Sequence, residues 1–208
     1  MTHISQNVFE QGIVAVRPMR RADVDAFAVW GIHTDPLFRH FNLPRLSKGV
    51  ADQMWAFLAG APEERRPFAG LLGERVVASL IVRELDRAGG VGELGIILDP
   101  AWIGRGLGRR ILAAFISVLA TEGFRRLQLE VAGYNERAIA AYRAAGFAVL
   151  DEYWADPEPG MDVGALLEGP AADAVSPNVR LDAHGHYLMR TVRMERRLGP
   201  QTKDDITP

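Results

Sequence analysis

The stretch from Gly92 to Phe147 leaves this chain few folds to choose from. An apolar run ending at Asp99-Pro100 reads as a strand. The turn Ile103-Gly104-Arg105-Gly106-Leu107-Gly108-Arg109-Arg110 follows, and Ile111 to Leu119 is apolar and helix-compatible. A helix N-terminus presents unpaired N–H groups and a partial positive charge, so it attracts anions. Glycine lets the backbone approach an anion closely. Arg105, Arg109 and Arg110 add forked donors suited to phosphate oxygens. The segment therefore suits a diphosphate. A basic helix start whose glycines serve only a tight turn fits the same residues.

Spacing separates the rival phosphate motifs. A dinucleotide fingerprint G-x-G-x-x-G beginning at Gly104 needs glycine at the position of Arg109. A Walker turn needs Gly-Lys followed by Ser or Thr, which the chain lacks. Downstream, Arg126 to Val131 reads as a second strand. Asn135 then heads a second helix that carries Tyr142 and closes at Gly146-Phe147. Asn135 and Tyr142 are two helical turns apart and share one face.

Together these segments resemble the GNAT superfamily of acyl-CoA-dependent N-acetyltransferases. Gly106 and Gly108 match the small positions of its turn [QR]-x-x-G-x-[GA]. Ile103 stands at the leading Gln/Arg position, a departure for which Arg105, Arg109 and Arg110 are the available compensation. Asn135, Ala138, Tyr142, Gly146 and Phe147 match N-x-x-A-x-x-x-Y-x-x-x-G-F. Arg17-Pro18-Met19, Ala22-Asp23 and Thr34-Asp35-Pro36 are similar to the front of the ribosomal-protein-alanine acetyltransferase branch. The resemblance covers approximately Ile13 to Trp154 and a final strand from Tyr187 to Met194. It implies an α/β (α+β) fold with a mixed, mostly antiparallel twisted sheet, flanking helices, and two central parallel strands that splay apart.

The resemblance also implies a chemistry. Acetyl-CoA would be the acyl-donor co-substrate, held by Arg105, Gly106, Leu107, Gly108, Arg109 and Arg110, by backbone groups of Ile96, Ile97 and Leu98, and by Asn135 and Tyr142. A primary amine, on a small molecule or a protein N-terminus, would attack directly in a ternary complex. Alkyl amines are protonated at neutral pH and need a base. Glu93, at the start of the strand beside the thioester, is the candidate, with Glu130 on the neighbouring strand and bulk water as alternatives. Tyr142 would protonate the departing thiolate. Plainer readings stand beside these. Glu93 fits a surface carboxylate, Tyr142 a core aromatic, and Asn135 a simple helix cap. A non-catalytic acyl-CoA-binding module is the alternative function.

Composition narrows the rest. The chain has 208 residues, 48% of them hydrophobic, which suits one sizeable core and a single domain over 1–194 with a polar tail over 195–208. A net charge of −2 argues against general nucleic-acid binding. The absence of cysteine excludes disulfides, thiol catalysis and cysteine–zinc sites, and is compatible with the cytoplasm. No signal pattern or membrane-length apolar run occurs, so no membrane partner is expected. His184 and His186 would share a strand face, but no further ligand has convincing spacing and no metal is expected. Monomer and homodimer are both open.

The remaining elements follow from caps and turns. A strand is expected over Gly12 to Arg17, and a helix from Ala22-Asp23, capped by Asp23, to about Ile32. A short helix starts at Asp35-Pro36, and one capped by Ser47 runs through Leu58. Strands Phe68 to Leu72 and Val76 to Leu85 join at Gly73-Glu74, and Val91 to Leu98 feeds the glycine turn. A helix over Ile111 to Glu122 ends at Gly123. Late strands run from Val149 to Trp154 and from Tyr187 to Met194. Between these last two lies Ala155 to Ala183, with six acids against Arg180 alone and a net charge of −5. A connection of that length is commonly functional or disordered. It reads either as an acidic lid over the acceptor or as a solvated insertion.

Overall fold

The computed structural model describes residues 12–43 and 46–199. Eight strands form one sheet. They are β1 (Val14–Pro18), β2 (Arg65–Leu72), β3 (Arg75–Asp86), β4 (Val91–Leu98), β5 (Arg126–Ala132), β6 (Ala148–Ala155), β7 (Val179–Leu181) and β8 (Tyr187–Arg197). The spatial order is β1-β2-β3-β4-β5-β8-β6, with β7 also paired to β8. Every pairing is antiparallel except β4 with β5. This is the mixed sheet expected from the sequence.

The helices pack on opposite faces. On one face lies α3 (Leu107–Thr121), whose Leu107, Ile111, Leu112, Phe115, Ile116 and Leu119 are buried. That stripe recurs at helical spacing and fills the main core against Leu80, Leu94, Leu127 and Leu129. The shorter helix α4 (Glu136–Ala144) adds Ile139 to the same core. On the other face, α1 (Arg21–Asp25) and α2 (Lys48–Ala59) build a second core with Ala69, Leu71 and Val76. The Ser47 hydroxyl accepts from the Val50 N–H at 3.4 Å and caps α2 as expected. Gly73, at φ +60°, turns β2 into β3 in a backbone region that a side chain disfavours.

Four expectations are corrected. The first helix stops at Asp25, continues as a 3₁₀ turn over Ala26–Val29, and is extended at Trp30. Trp30 donates its indole N–H to Val76 O at 3.1 Å, and Gly31 donates its N–H to the Asp99 carboxylate at 2.8 Å, so the chain is pulled straight onto the sheet. Arg20, not Asp23, is the N-cap. Asp23 sits in the first turn, where its carboxylate accepts from Arg20 N at 2.6 Å and pairs with Arg17. Helix α3 begins at Leu107 rather than Ile111, because Gly106 at φ +75° caps it. Strand β8 runs on to Arg197, inside the expected tail, because β5 requires a partner along its length and Gln128 donates to Glu195 at 2.9 Å. Residues 200–208 of that tail lie outside the described residues.

The acidic segment 155–183 is folded rather than a bare loop. It contains α5 (Val163–Glu168), α6 (Ala172–Val175), a 3₁₀ turn over Ser176–Asn178, and β7. Val163, Leu166, Ala171 and Val175 bury themselves against Phe38, Tyr134 and Met189 in a third cluster. Among the described residues, no helix is long and apolar enough to cross a membrane.

Candidate active site

The sheet opens where its two parallel strands meet. β4 and β5 pair over only three positions, Val91 with Arg126, Gly92 with Leu127, and Glu93 with Gln128. Beyond them β4 continues on β3, and β5 continues on β8. The facing edges of Leu94–Leu98 and Leu129–Ala132 are not paired with each other. Backbone groups on such an edge need other partners, and an extended amide-bearing chain lying in the gap could satisfy them as an added strand does.

The glycine turn lies at the far end of β4. Asp99, with 0% exposure, ties the two together. Its carboxylate accepts from Gly31 N at 2.8 Å and Ala101 N at 3.0 Å, and pairs with Arg75 at 3.1 Å. Gly104 at φ +79° and Gly106 at φ +75° need glycine for their backbone, and a Cβ on either would meet nothing within 4 Å. Gly108 is different. It is helical, and a Cβ there would meet only Leu98 Cδ2 at 3.6 Å, an ordinary contact. Folding gives no reason for glycine at this position, where alanine is the better helix former. The turn thus leaves open space above the first N–H groups of a fifteen-residue helix, and these features fit an anionic group.

The arginines differ in their placement. Arg105 and Arg109 are exposed, and the Arg105 guanidinium lies over the Trp102 ring at 5.6 Å. Arg110 donates to the Gly12 carbonyl at 2.5 Å. Leu107 is buried and anchors the helix start. Ile96 and Leu98 pack toward the α3 core, whereas Ile97 is 37% exposed on the opposite face. Asn135 caps α4, its side-chain oxygen accepting from Ala138 N at 3.2 Å. Tyr142 packs against the main core with its ring edge-on to Phe147, centroids 6.0 Å apart. Burial pushes its phenol up to about 12, so it keeps its proton throughout the neutral range.

The two candidate bases separate in environment. The Glu93 side chain is 17% exposed and paired with Arg83. Glu130 is exposed and lines a cavity of about 180 Å³ together with Tyr134, Tyr153 and Glu158. Tyr153 is held up to about 12 by burial first and then by its hydrogen bond to the Glu130 carboxylate. The Glu158 carboxyl is raised by burial and then by the charge of Glu130. The Tyr134 hydroxyl lies 3.4 Å from His40 Nε2, and its acidity is suppressed by burial and by Glu158. Sequence reasoning missed Tyr134, Tyr153, Glu158 and His40. Strand alternation could have put Tyr153 on one face with Asp151, but nothing local pairs β6 with β5 across β8. His184 and His186 instead belong to the turn before β8, where Asp182 accepts both of their backbone N–H groups.

A family model described as the acetyltransferase (GNAT) family matches residues 17–147, which include the parted strands and the glycine turn. The chain belongs to that family. Among its relatives, a mycothiol acetyltransferase of Nocardiopsis dassonvillei is 36% identical over 90 residues, covering 43% of this chain and 24% of that protein. A mycothiol acetyltransferase of Beutenbergia cavernae is 38% identical over 73 residues, covering 35% and 24%. The matches thus span about a quarter of the length of these relatives. The spermidine N-acetyltransferase of Vibrio cholerae, solved with CoA and spermine, superposes with a TM-score of 0.62 at 14% identity, covering 88% of this chain and 95% of the other. The ribosomal-protein-S18-alanine N-acetyltransferase of Escherichia coli gives 0.56 at 19%, covering 92% and 98%. At these identities the superpositions speak for the GNAT fold alone.

Proposed function

We propose that this protein is an acetyl-CoA-dependent N-acetyltransferase that acylates a primary amine by direct attack in a ternary complex. The observation that carries the reading is the parting of β4 from β5 after Glu93 and Gln128, next to the open helix start at Gly106. Acetyl-CoA supplies the acyl group as a thioester. The N–H groups at the start of α3, with Arg105 and Arg109, would hold its diphosphate. Backbone groups of Ile96, Ile97 and Leu98 would hold the arm, an N–H among them serving the thioester oxygen. Asn135 and Tyr142 lie on the helix that follows β5.

The acceptor enters, in this reading, through the cavity that holds Glu130 and Glu158. The three acidic residues that line it, Glu130, Asp156 and Glu158, favour a cationic amine over a neutral one. Glu130 is the better placed base, because Glu93 is already committed to Arg83. Glu130 takes the amine proton directly or through water. Tyr142, neutral because its phenol is raised to about 12, donates to the leaving sulfur.

Thiol release from acetyl-CoA across a panel of primary amines tests this. Tyr142→Phe and Glu130→Gln should each lower kcat by about 10²–10⁴-fold, with the KM for acetyl-CoA within threefold of wild type. Turnover absent with every amine, while CoA still binds, would instead favour a non-catalytic acyl-CoA-binding module. Normal turnover in Tyr142→Phe would return that residue to core packing.

A further inference from the structure

A second cavity of about 230 Å³ lies on the β4 side of the opening and takes no part in the proposed chemistry. Its wall is made by Phe27, Trp30, Ile32, Phe41 and Leu46, with Ile97 of β4 as its contact with the parted strand. Two of the polar side chains in that wall are already engaged. Trp30 donates its indole N–H to Val76 O at 3.1 Å, leaving only the ring for contact. Asn42 uses both ends of its amide on the His33 backbone, accepting from its N–H at 2.6 Å and donating to its carbonyl at 3.1 Å. Burial first, and the positive charge of Arg137 second, hold the His33 imidazole below its usual range. Among the described residues that line the cavity, none is Lys, Arg, Asp or Glu. A site of this size, walled by aromatic and aliphatic side chains, suits an apolar ligand group.

We propose that this cavity receives the acyl chain of the donor, so that the protein, besides acetyl-CoA, binds and uses apolar acyl-CoA thioesters with longer chains. The inference rests on the reading that places the thioester arm along Ile96–Leu98. Ile97 contributes its backbone to that arm and its side chain to the cavity, so a chain growing from the thioester carbon has this wall beside it. The acidic cavity lies on the β5 side and is left to the amine. The transfer itself is unchanged. The amine nitrogen forms a bond to the acyl carbon, the carbon–sulfur bond breaks, the base takes one proton from the nitrogen, and the CoA sulfur leaves with a proton from the acid. A donor with an anionic chain end is disfavoured, because burying a carboxylate among these aromatic and aliphatic walls costs its hydration.

Non-transferable thioethers separate donor binding from catalysis. Binding of S-ethyl-, S-butyl- and S-carboxypropyl-CoA is measured by calorimetry on the full chain. Each buried methylene is worth about fourfold in affinity, so S-butyl-CoA should bind roughly fifteenfold tighter than S-ethyl-CoA, and S-carboxypropyl-CoA should lose that gain. Ala28 is exposed and borders the cavity. Ala28→Trp should fill the space and abolish the gain while leaving S-ethyl-CoA within twofold of wild type. A flat or falling wild-type series overturns the proposal, whether or not the variant folds. So does a gain that survives in a folded Ala28→Trp protein. Turnover with the amine panel is read separately. Its absence would remove the acyltransfer reading without altering the thioether series, and a flat series beside normal acetyl transfer would remove only the acyl-chain cavity.

Discussion

Gly106 tests the anion site without disturbing the core. It stands at φ +75° as the cap of α3, and a Cβ there meets nothing within 4 Å. Alanine and glutamate at 106 therefore incur the same backbone strain, about 1–2 kcal/mol, and the Cβ of neither collides with a neighbour. For a chain of this size that strain should lower Tm by roughly 2–8 °C in both variants. The two part company at the anion. A carboxylate held about 5 Å from one phosphate charge, at an effective dielectric near 20, opposes it by about 3 kcal/mol. Glutamate should therefore weaken CoA by about 100-fold relative to alanine. The assay is calorimetric titration with CoA, beside a thermal melt to show that both variants remain folded. A Gly106→Glu protein that binds CoA within threefold of Gly106→Ala, with matching melts, would mean that no diphosphate lies at this turn.

Two further outcomes follow from the same geometry. Gly108→Ala should raise Tm by about 1–4 °C, from about 0.5–1 kcal/mol of helix propensity, and should keep CoA binding, since the resembled turn admits Gly or Ala there; a lowered Tm would show a clash that the 3.6 Å contact with Leu98 does not imply. For Asp23, burial works to raise the carboxyl, but Arg17 and the Arg20 N–H outweigh it and hold the group below its usual range. A depressed carboxyl contributes stability above its unfolded value of about 3.9 and loses it as pH falls further. Asp23→Asn should cost about 1–3 kcal/mol at pH 7, with the gap to wild type closing below about pH 4 in denaturant titrations; a gap constant with pH would assign the loss to packing.

Much of the fold was legible because its signals are local. β4 runs over Val91–Leu98 as read, bounded by Gly90 and by Asp99-Pro100. Ser47, Asn135 and Gly73 act where cap and turn chemistry put them. The first helix was misread because its end is set from a distance. Trp30 and Gly31 answer to Val76 and Asp99, and no window around residue 30 contains either partner. The site divides in the same way. The glycine turn, Asn135 and Tyr142 are contiguous motifs. The acidic cavity is assembled from β5, β6 and the segment after β6, so Glu130, Tyr153 and Glu158 become neighbours only through sheet order.

The segment 155–183 shows how composition can hide a fold. Its charge of −5 and its length argue for a solvated loop. Yet Val163 and Leu166 are three apart, and Ala171 and Val175 four apart, so each pair presents one helical face. Those faces turn inward onto Phe38, Tyr134 and Met189. The acids fall elsewhere. Asp162 caps α5, accepting from Ala165 N at 3.0 Å, and Asp182 accepts two N–H groups in the turn before β8. Asp156 and Glu158 line the cavity with Glu130, and the Glu158 carboxyl is raised there by desolvation and then by the charge of Glu130. Most of the charge in this segment thus serves caps, turns and solvent. Two carboxylates, Asp156 and Glu158, rather than the net charge, are what the segment brings to the proposed acceptor path, and long-range attraction by the segment as a whole is the weaker part of the lid idea.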